Sequence, residues 1–173
     1  MAHFRGYEVT HGEMVRYIVL FLRFFLAASF LFAALDKLIG LGYPNPWMHG
    51  YIFGGDPVGS FLTYGLGPWL GFLFKPLLGI SGILNVVIIG AMLLLGTSLL
   101  LGIGTRLSAV LGSLMMFMFL LASVPVSDEF IFDYRIVYIL VLPLLYLLGA
   151  YGEYSLKDRW EATALVRRFP LLR

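Results

Sequence analysis

Cysteine is absent from all 173 residues. That excludes disulfides, iron–sulfur clusters, thiolate zinc sites and persulfide chemistry from this polypeptide. Histidine is nearly absent: His3 and His11 sit in the N-terminal tail and His49 lies between apolar runs. No pair of histidines is therefore available within a span to hold a haem. The tail histidines offer at most a loose metal site, and a flexible polar tail is the better reading, so neither metal nor haem is expected in this chain. Charge is scarce too, at 13% of residues with a formal net charge of +2. Nothing resembles a Walker loop, a dinucleotide fingerprint or a Ser–His–Asp set, and there is no internal repeat or low-complexity tract. Any electrons that pass through such a chain must be carried by a bound organic molecule or by a partner.

What is present is overwhelmingly apolar: 60% of residues are hydrophobic, with mean hydropathy +0.91, outside the soluble-domain range. Four stretches are long enough to span a bilayer: Tyr17–Leu35, Ile80–Leu101, Leu107–Val124 and Phe130–Leu148. A span needs about 20 residues at 1.5 Å per residue. The first is too long for a signal-peptide core, and no small-x-small cleavage site follows it. Backbone groups in lipid must be satisfied internally, so the spans are helices. The expected fold is a single all-α membrane domain, 1–173: a four-helix bundle with an outer cap over 36–79 and a cytoplasmic, interfacial amphipathic helix over 155–169. With both termini on one side, that side carries eight Lys or Arg and the other only Lys37 and Lys75. This asymmetry places both termini in the cytoplasm of a multi-pass protein of the cell membrane. The basic residues then mark anionic lipid, and no nucleic acid is expected as partner.

The connections differ in length. Spans 2 and 3 are joined by about five residues around Gly102–Arg106, and spans 3 and 4 by Pro125–Glu129, which makes antiparallel neighbours. Asp36–Gly79 is 44 residues long, with five Pro, ten Gly and many aromatics. A loop of that size is expected to have a job or a fold of its own. It reads as an outer-face cap with short half-helices over Pro57–Tyr64 and Pro68–Phe74, Asp56 being an N-cap before Pro57 at N1. At the C-terminus, Ser155 and Asp158 resemble a capping box. Leu156, Trp160 and Ala164 share a face opposite Lys157, Glu161 and Arg168. This suits a helix on the membrane surface, with partner docking as the alternative.

Polar residues in the spans are costly and few. Arg23 lies about 9 Å along the first span. It shares a stripe with Arg16, Phe30 and Lys37, and either snorkels to headgroups and touches a neighbouring helix or contacts an anion or quinone carbonyl. Asp36 and Lys37 close the first span, and Asp128, Glu129, Asp133 and Arg135 open the last. The helix dipole accounts for Asp128 and Glu129. Asp133 and Arg135 lie deeper, and the expected pairs are Lys37 with Asp133, or Asp36 with Arg135. Under an aromatic lid those four would form an anion-accepting pocket; a purely structural pairing is the equal alternative. Ser81 and Asn85 share a face, on which the amide either bonds a quinone carbonyl or bridges two helices. Gly90, Thr97 and Gly104 repeat at seven and suggest a packing seam. Pro143 should kink its helix and free the carbonyl of Ile139. The methionines read as packing.

Three motifs then coincide over roughly Val15–Trp160. They are Leu22-Arg23 followed by Asp36-Lys37-Leu38; Gly90, Leu95-Gly96 and Leu101-Gly102-Ile103-Gly104-Thr105-Arg106-Leu107; and Leu148-Gly149 through Gly152 to Tyr154-Ser155-Leu156. In this order and spacing the chain resembles the DoxX/DoxD family of small four-helix membrane proteins. Its long aromatic loop is most similar to the DoxD branch. It departs from the family at Ala27 and Leu35, positions that are often Gly. The resemblance implies the large membrane subunit of a thiosulfate:quinone oxidoreductase, which oxidises thiosulfate to tetrathionate and reduces a membrane quinone. It also implies a smaller, DoxA-like partner subunit. In that scheme Lys37 and Arg135, with Asp36 and Asp133, hold the substrate dianions, while Arg23, Asn85 or Arg106 polarises a quinone oxygen. The alternatives are a non-catalytic anchoring subunit of a terminal quinol oxidase complex and a small anion carrier.

Overall fold

The computed structural model describes residues 2–4, 7–9, 11–125, 133–149 and 154–169. Two short strands, β1 (Ala2–Phe4) and β2 (Tyr7–Val9), pair antiparallel where the sequence suggested an unstructured tail. Helices follow: α1 (His11–Ile39), α2 (Pro57–Tyr64), α3 (Ser81–Leu101), α4 (Thr105–Ser123) and α5 (Tyr134–Leu147). Two five-residue helices, α6 (Lys157–Glu161) and α7 (Ala164–Arg168), end the described chain.

Three helical stretches, Gly12–Ile39, Gly71–Leu101 and Thr105–Ser123, are long and apolar enough to cross a membrane. α5 is a shorter apolar helix of 14 residues. The start of the fourth expected span, residues 130–132, lies outside the described residues, as do Asp128 and Glu129. The long helices are apolar all round: Phe21 and Phe25 of α1, and Ile83, Val86, Val87 and Leu94 of α3, are exposed. A helix that is apolar on every face belongs in a core or in lipid, and these faces have no core against them. The architecture is that of a helical membrane protein.

One apolar core joins Ala27, Phe30 and Ala34 of α1, Met92, Leu95 and Leu99 of α3, Met116 of α4, and Leu142 and Leu145 of α5. α1 packs chiefly on α3 and α4 on α5, while α3 and α4 touch each other sparingly. The close approaches are at glycine. A Cβ on Gly96 would stand 2.6 Å from Leu31 Cγ and 3.0 Å from Leu31 N, and one on Gly112 would stand 2.8 Å from Leu142 Cδ1. The expected seam over Gly90, Thr97 and Gly104 is not used. Gly90 faces open space, Thr97 is exposed and bonds back to the Leu93 carbonyl at 2.7 Å, and Gly104 is the left-handed N-cap of α4. The carbonyl of Ile139, four residues before Pro143, accepts from Ser113 Oγ of α4 at 3.2 Å. The donor that proline removes is thus replaced from a neighbouring helix.

At one end of the helices, the loop end, residues 40–80 fold back over the core. Gly40, at φ +83, brings the chain round so that Gly50 N donates to Ile39 O at 3.0 Å and Met48 N to Gly40 O at 3.0 Å. α2 has the expected bounds and the expected Asp56 cap. The second expected half-helix over 68–74 is instead a turn with two 3₁₀ segments, Gly71–Leu73 and Lys75–Ile80. Gly67 N and Trp69 N donate to the carbonyls of Ala122 and Val124, tying this segment to the end of α4.

At the other end, the turn end, Gly102 (φ +66) closes α3, and Leu156 N donates to Leu101 O at 2.8 Å. The tail helix expected over 155–169 is two helices divided at Ala162–Thr163, with Thr163 Oγ1 donating to Trp160 O. The expected capping box does not form: Leu156 is the N-cap of α6, and Ser155 Oγ accepts from Lys157 N.

Candidate functional site

A cavity of about 660 Å³ opens at the loop end between α1, the 43–46 segment, the start of α2, α4 and the start of α5. That volume is within the range of small-molecule sites. Lys37, Asp36 and Arg135 line it, together with Asn45, Ser60, Tyr134 and Tyr138. Its aromatic wall is ordered edge to face: Phe30 against Tyr138 at 5.8 Å, Tyr138 against Tyr134 at 5.9 Å, and Phe61 against Phe119 at 5.6 Å. Such pairs fix ring orientation and so define the shape of the wall.

The four charges expected to converge here do so in part, with different pairing. Asp36 is fully buried, and its carboxylate is committed to the loop. Oδ1 accepts from Leu41 N at 2.9 Å and Tyr43 N at 3.1 Å; Oδ2 accepts from Asn45 N at 3.3 Å and Asn45 Nδ2 at 2.6 Å. It therefore does not reach Arg135. Asp133 is the N-cap of α5, accepting from Arg135 N at 2.8 Å, and its carboxylate pairs with Arg135 Nη1 at 3.1 Å. It therefore does not reach Lys37. Local geometry prevails: a residue two positions along a helix start is nearer than any partner across the cavity. Arg135 also lies over the Tyr134 ring at 5.2 Å. Lys37 is left partly buried on the cavity wall, with neither an ion pair nor a hydrogen bond among the described residues.

The three residues expected to polarise a quinone oxygen are not brought together. Asn85 is buried at the loop end, where it docks α2. Its Oδ1 accepts from Val58 N at 3.0 Å, and its Nδ2 donates to Asp56 Oδ1 at 2.5 Å. Ser81 Oγ donates to Asp56 Oδ2 at 2.6 Å, and Gly59 N to Asp56 Oδ1 at 2.7 Å. Of the two readings of Ser81 and Asn85, the structural bridge is the one formed. Burial pushes the Asp56 carboxyl up, but the donors from Ser81, Asn85 and Gly59 outweigh it and hold the group below its ordinary value.

Arg23 is at the opposite end and does not snorkel. It is fully buried, lies over the Phe24 ring at 4.6 Å, and donates from Nη2 to the carbonyl of Tyr154 at 2.9 Å. A Cβ on Gly102 would stand 2.4 Å from Ser155 Cβ and 3.3 Å from Arg23 Nη1, so that glycine makes room first for the returning chain at Ser155 and then for the guanidinium. Arg106, in the first turn of α4, is exposed at the same turn end. Arg23 and Gly102 thus lock the C-terminal segment onto the helices.

Sequence reasoning missed Asn45, Ser60, Tyr134 and Tyr138. The Tyr134-Arg135…Tyr138 spacing, four apart with a cation between, was a usable signal for a helix face that pairs rings with charge. Asn45 and Ser60 carried none, because a long loop gives no period from which to infer proximity. Among the described residues, no group of three or more His, Asp or Glu side chains gathers to hold a metal. No family model, curated protein or solved structure matches the chain.

Proposed function

We propose that this chain is the quinone-binding membrane subunit of an oxidoreductase, with the loop-end cavity as the seat of the quinone ring and thiosulfate as the electron donor. In this reading α5 completes a four-span bundle in the cell membrane, both termini are cytoplasmic, and a smaller partner subunit accompanies it. The observation that carries the reading is Lys37: a cation with no ion pair among the described residues, partly buried, on the wall of an aromatic cavity at the end of a membrane helix.

The charge balance at the cavity favours a quinone there over two thiosulfates. Among the described residues Lys37 and Arg135 are countered by Asp36 and Asp133, so their formal charge sums to zero. Two dianions would sit against no net positive charge, whereas a neutral ring needs only a donor where negative charge builds as electrons arrive. Lys37 supplies that donor, and Tyr134 and Tyr138 supply flat apolar wall. The overall balance is two thiosulfates giving one tetrathionate and two electrons, taken up with two protons by one quinone to give the quinol. The sulfur half of the reaction is then assigned to the surface shared with the smaller subunit.

The test is reduction of a quinone analogue by thiosulfate, using the chain purified with its co-purifying partners. Thiosulfate-dependent reduction that yields tetrathionate and falls by about 10²-fold in Lys37→Ala, with assembly unchanged, supports the reading. Lys37→Arg keeps the charge and retains part of the activity. Undiminished turnover in Lys37→Ala removes the cavity from the reaction. Failure of every partner-retaining preparation to reduce quinone leaves an anchoring subunit as the better description.

A further inference from the structure

A second cavity, about 630 Å³, runs between α3 and α4, the two neighbouring helices that touch each other sparingly. From Leu84 to Ser98 along α3 it covers roughly 21 Å, at 1.5 Å per residue, and it ends beneath Trp160 of α6 at the turn end. Its walls are almost wholly apolar. The few hydroxyls on them are already committed. Thr97 donates to Leu93 O at 2.7 Å, and Ser98 Oγ and Ser108 Oγ stand 2.5 Å apart with the carbonyls of Ile103 and Gly104 in reach, so their two protons are shared among these acceptors. The groove therefore offers a ligand shape and apolar contact but no hydrogen bond.

The groove and the polar-ended cavity meet. Val58, Phe61 and Phe119 line both, so one layer of side chains divides them, and the edge-to-face pair of Phe61 and Phe119 is its centre. One space ends in Lys37 and Arg135, and the other is apolar along its length. Together they have the polarity profile of a single amphiphile with a compact polar head and a long hydrocarbon tail. We infer that the quinone whose ring occupies the loop-end cavity carries its isoprenoid tail across this partition, the contacting rings of Phe61 and Phe119 turning aside to admit it, and lays it in the α3–α4 groove. This rests on the quinone reading of the cavity. A hydrocarbon tail gains little transfer energy on leaving lipid for this groove, since both are apolar. What the groove contributes is orientation: it fixes the direction from which the ring enters.

The experiment uses the full chain in lipid nanodiscs and a quinone analogue bearing a diazirine at the far end of its tail. After irradiation, labelled peptides are mapped with and without excess of the same headgroup lacking a tail. The expected result is labelling on residues 84–98 and 107–122 that the tail-less headgroup displaces. Leu111→Trp, which adds bulk at a groove position 46% exposed and outside the core, should lower that labelling about tenfold while tail-less binding stays unchanged. Ala91→Phe fills the groove from α3 and serves as the second variant. Labelling that is displaced by the headgroup but maps elsewhere overturns the tail path and leaves the quinone site standing. Groove labelling that the headgroup does not displace shows a site for ordinary lipid chains, and it too overturns the inference. Absence of any displaceable labelling overturns both readings.

Discussion

Asp36 and Lys37 are adjacent in sequence, close the same helix, and have opposite fates. The carboxylate is consumed by four donors from the 41–45 segment, whereas the ammonium faces the cavity. Truncating Asp36 strands those donors, and unsatisfied buried donors cost about 1–3 kcal/mol. Asp36→Ala is therefore expected to lower the thermal midpoint in detergent and to expose residues 40–46 to protease. Because Asn45 is held by Asp36 and lines the cavity, the quinone binding proposed for that cavity should weaken as well. Lys37→Ala should leave the midpoint nearly unchanged, since no partner among the described residues is orphaned. The residue types at these positions were legible as important from their cost in a membrane. Their pairing was not: sequence gives distance along the chain, and the competitors for Asp36 were amides of a loop whose path no periodicity reports. Asp133 pairs with Arg135 for the same reason of proximity, which a cross-bundle picture of helix ends overlooks.

The helices themselves follow from apolar run length, and α3 and α4 begin and end within two residues of the expected spans. Packing faces were harder to read, because helices apolar on every side give no stripe to choose between. Gly90 and Gly96 make the point testable. Gly96→Ala drives a methyl into Leu31 of α1 and should cost about 1–3 kcal/mol, whereas Gly90→Ala meets nothing within 4 Å and should be neutral or slightly stabilising. Thermal unfolding of the two variants in the same detergent checks the assignment of the α1–α3 seam. α2 was legible because Asp56-Pro57 is a local signal, yet its docking on Ser81 and Asn85 was not. That docking carries a pH dependence. The Asp56 carboxyl binds its proton less readily when α2 is docked, so its contribution is full above the ordinary carboxylate value of about 3.9 and fades as pH falls through the lowered one. Hydrogen exchange of residues 57–64 should rise as pH is brought below about 4, after correction for intrinsic exchange rates. Asp56→Asn should lose the protection that the wild type gains above that value.

For the whole molecule, the absence of cysteine allows a direct test of orientation. Single cysteines at Tyr64, exposed at the loop end, and at Arg168, exposed in α7, should be labelled by an impermeant maleimide from opposite faces of sealed vesicles. Labelling of both from the same face would overturn the proposed topology. The two ends also differ in character. The loop end is built of cavity, rings and an available cation; the turn end is a clasp of left-handed glycine, buried guanidinium and returning backbone. That clasp sets an order of events during synthesis. Arg23 belongs to the first helix made, and the Tyr154 carbonyl that receives its hydrogen bond is translated 131 residues later. That hydrogen bond cannot form until translation has passed Tyr154, so α1 is made long before this partner exists. A ribosome stalled before Tyr154 therefore leaves α1 without this tie, and the bond records that synthesis has passed that point.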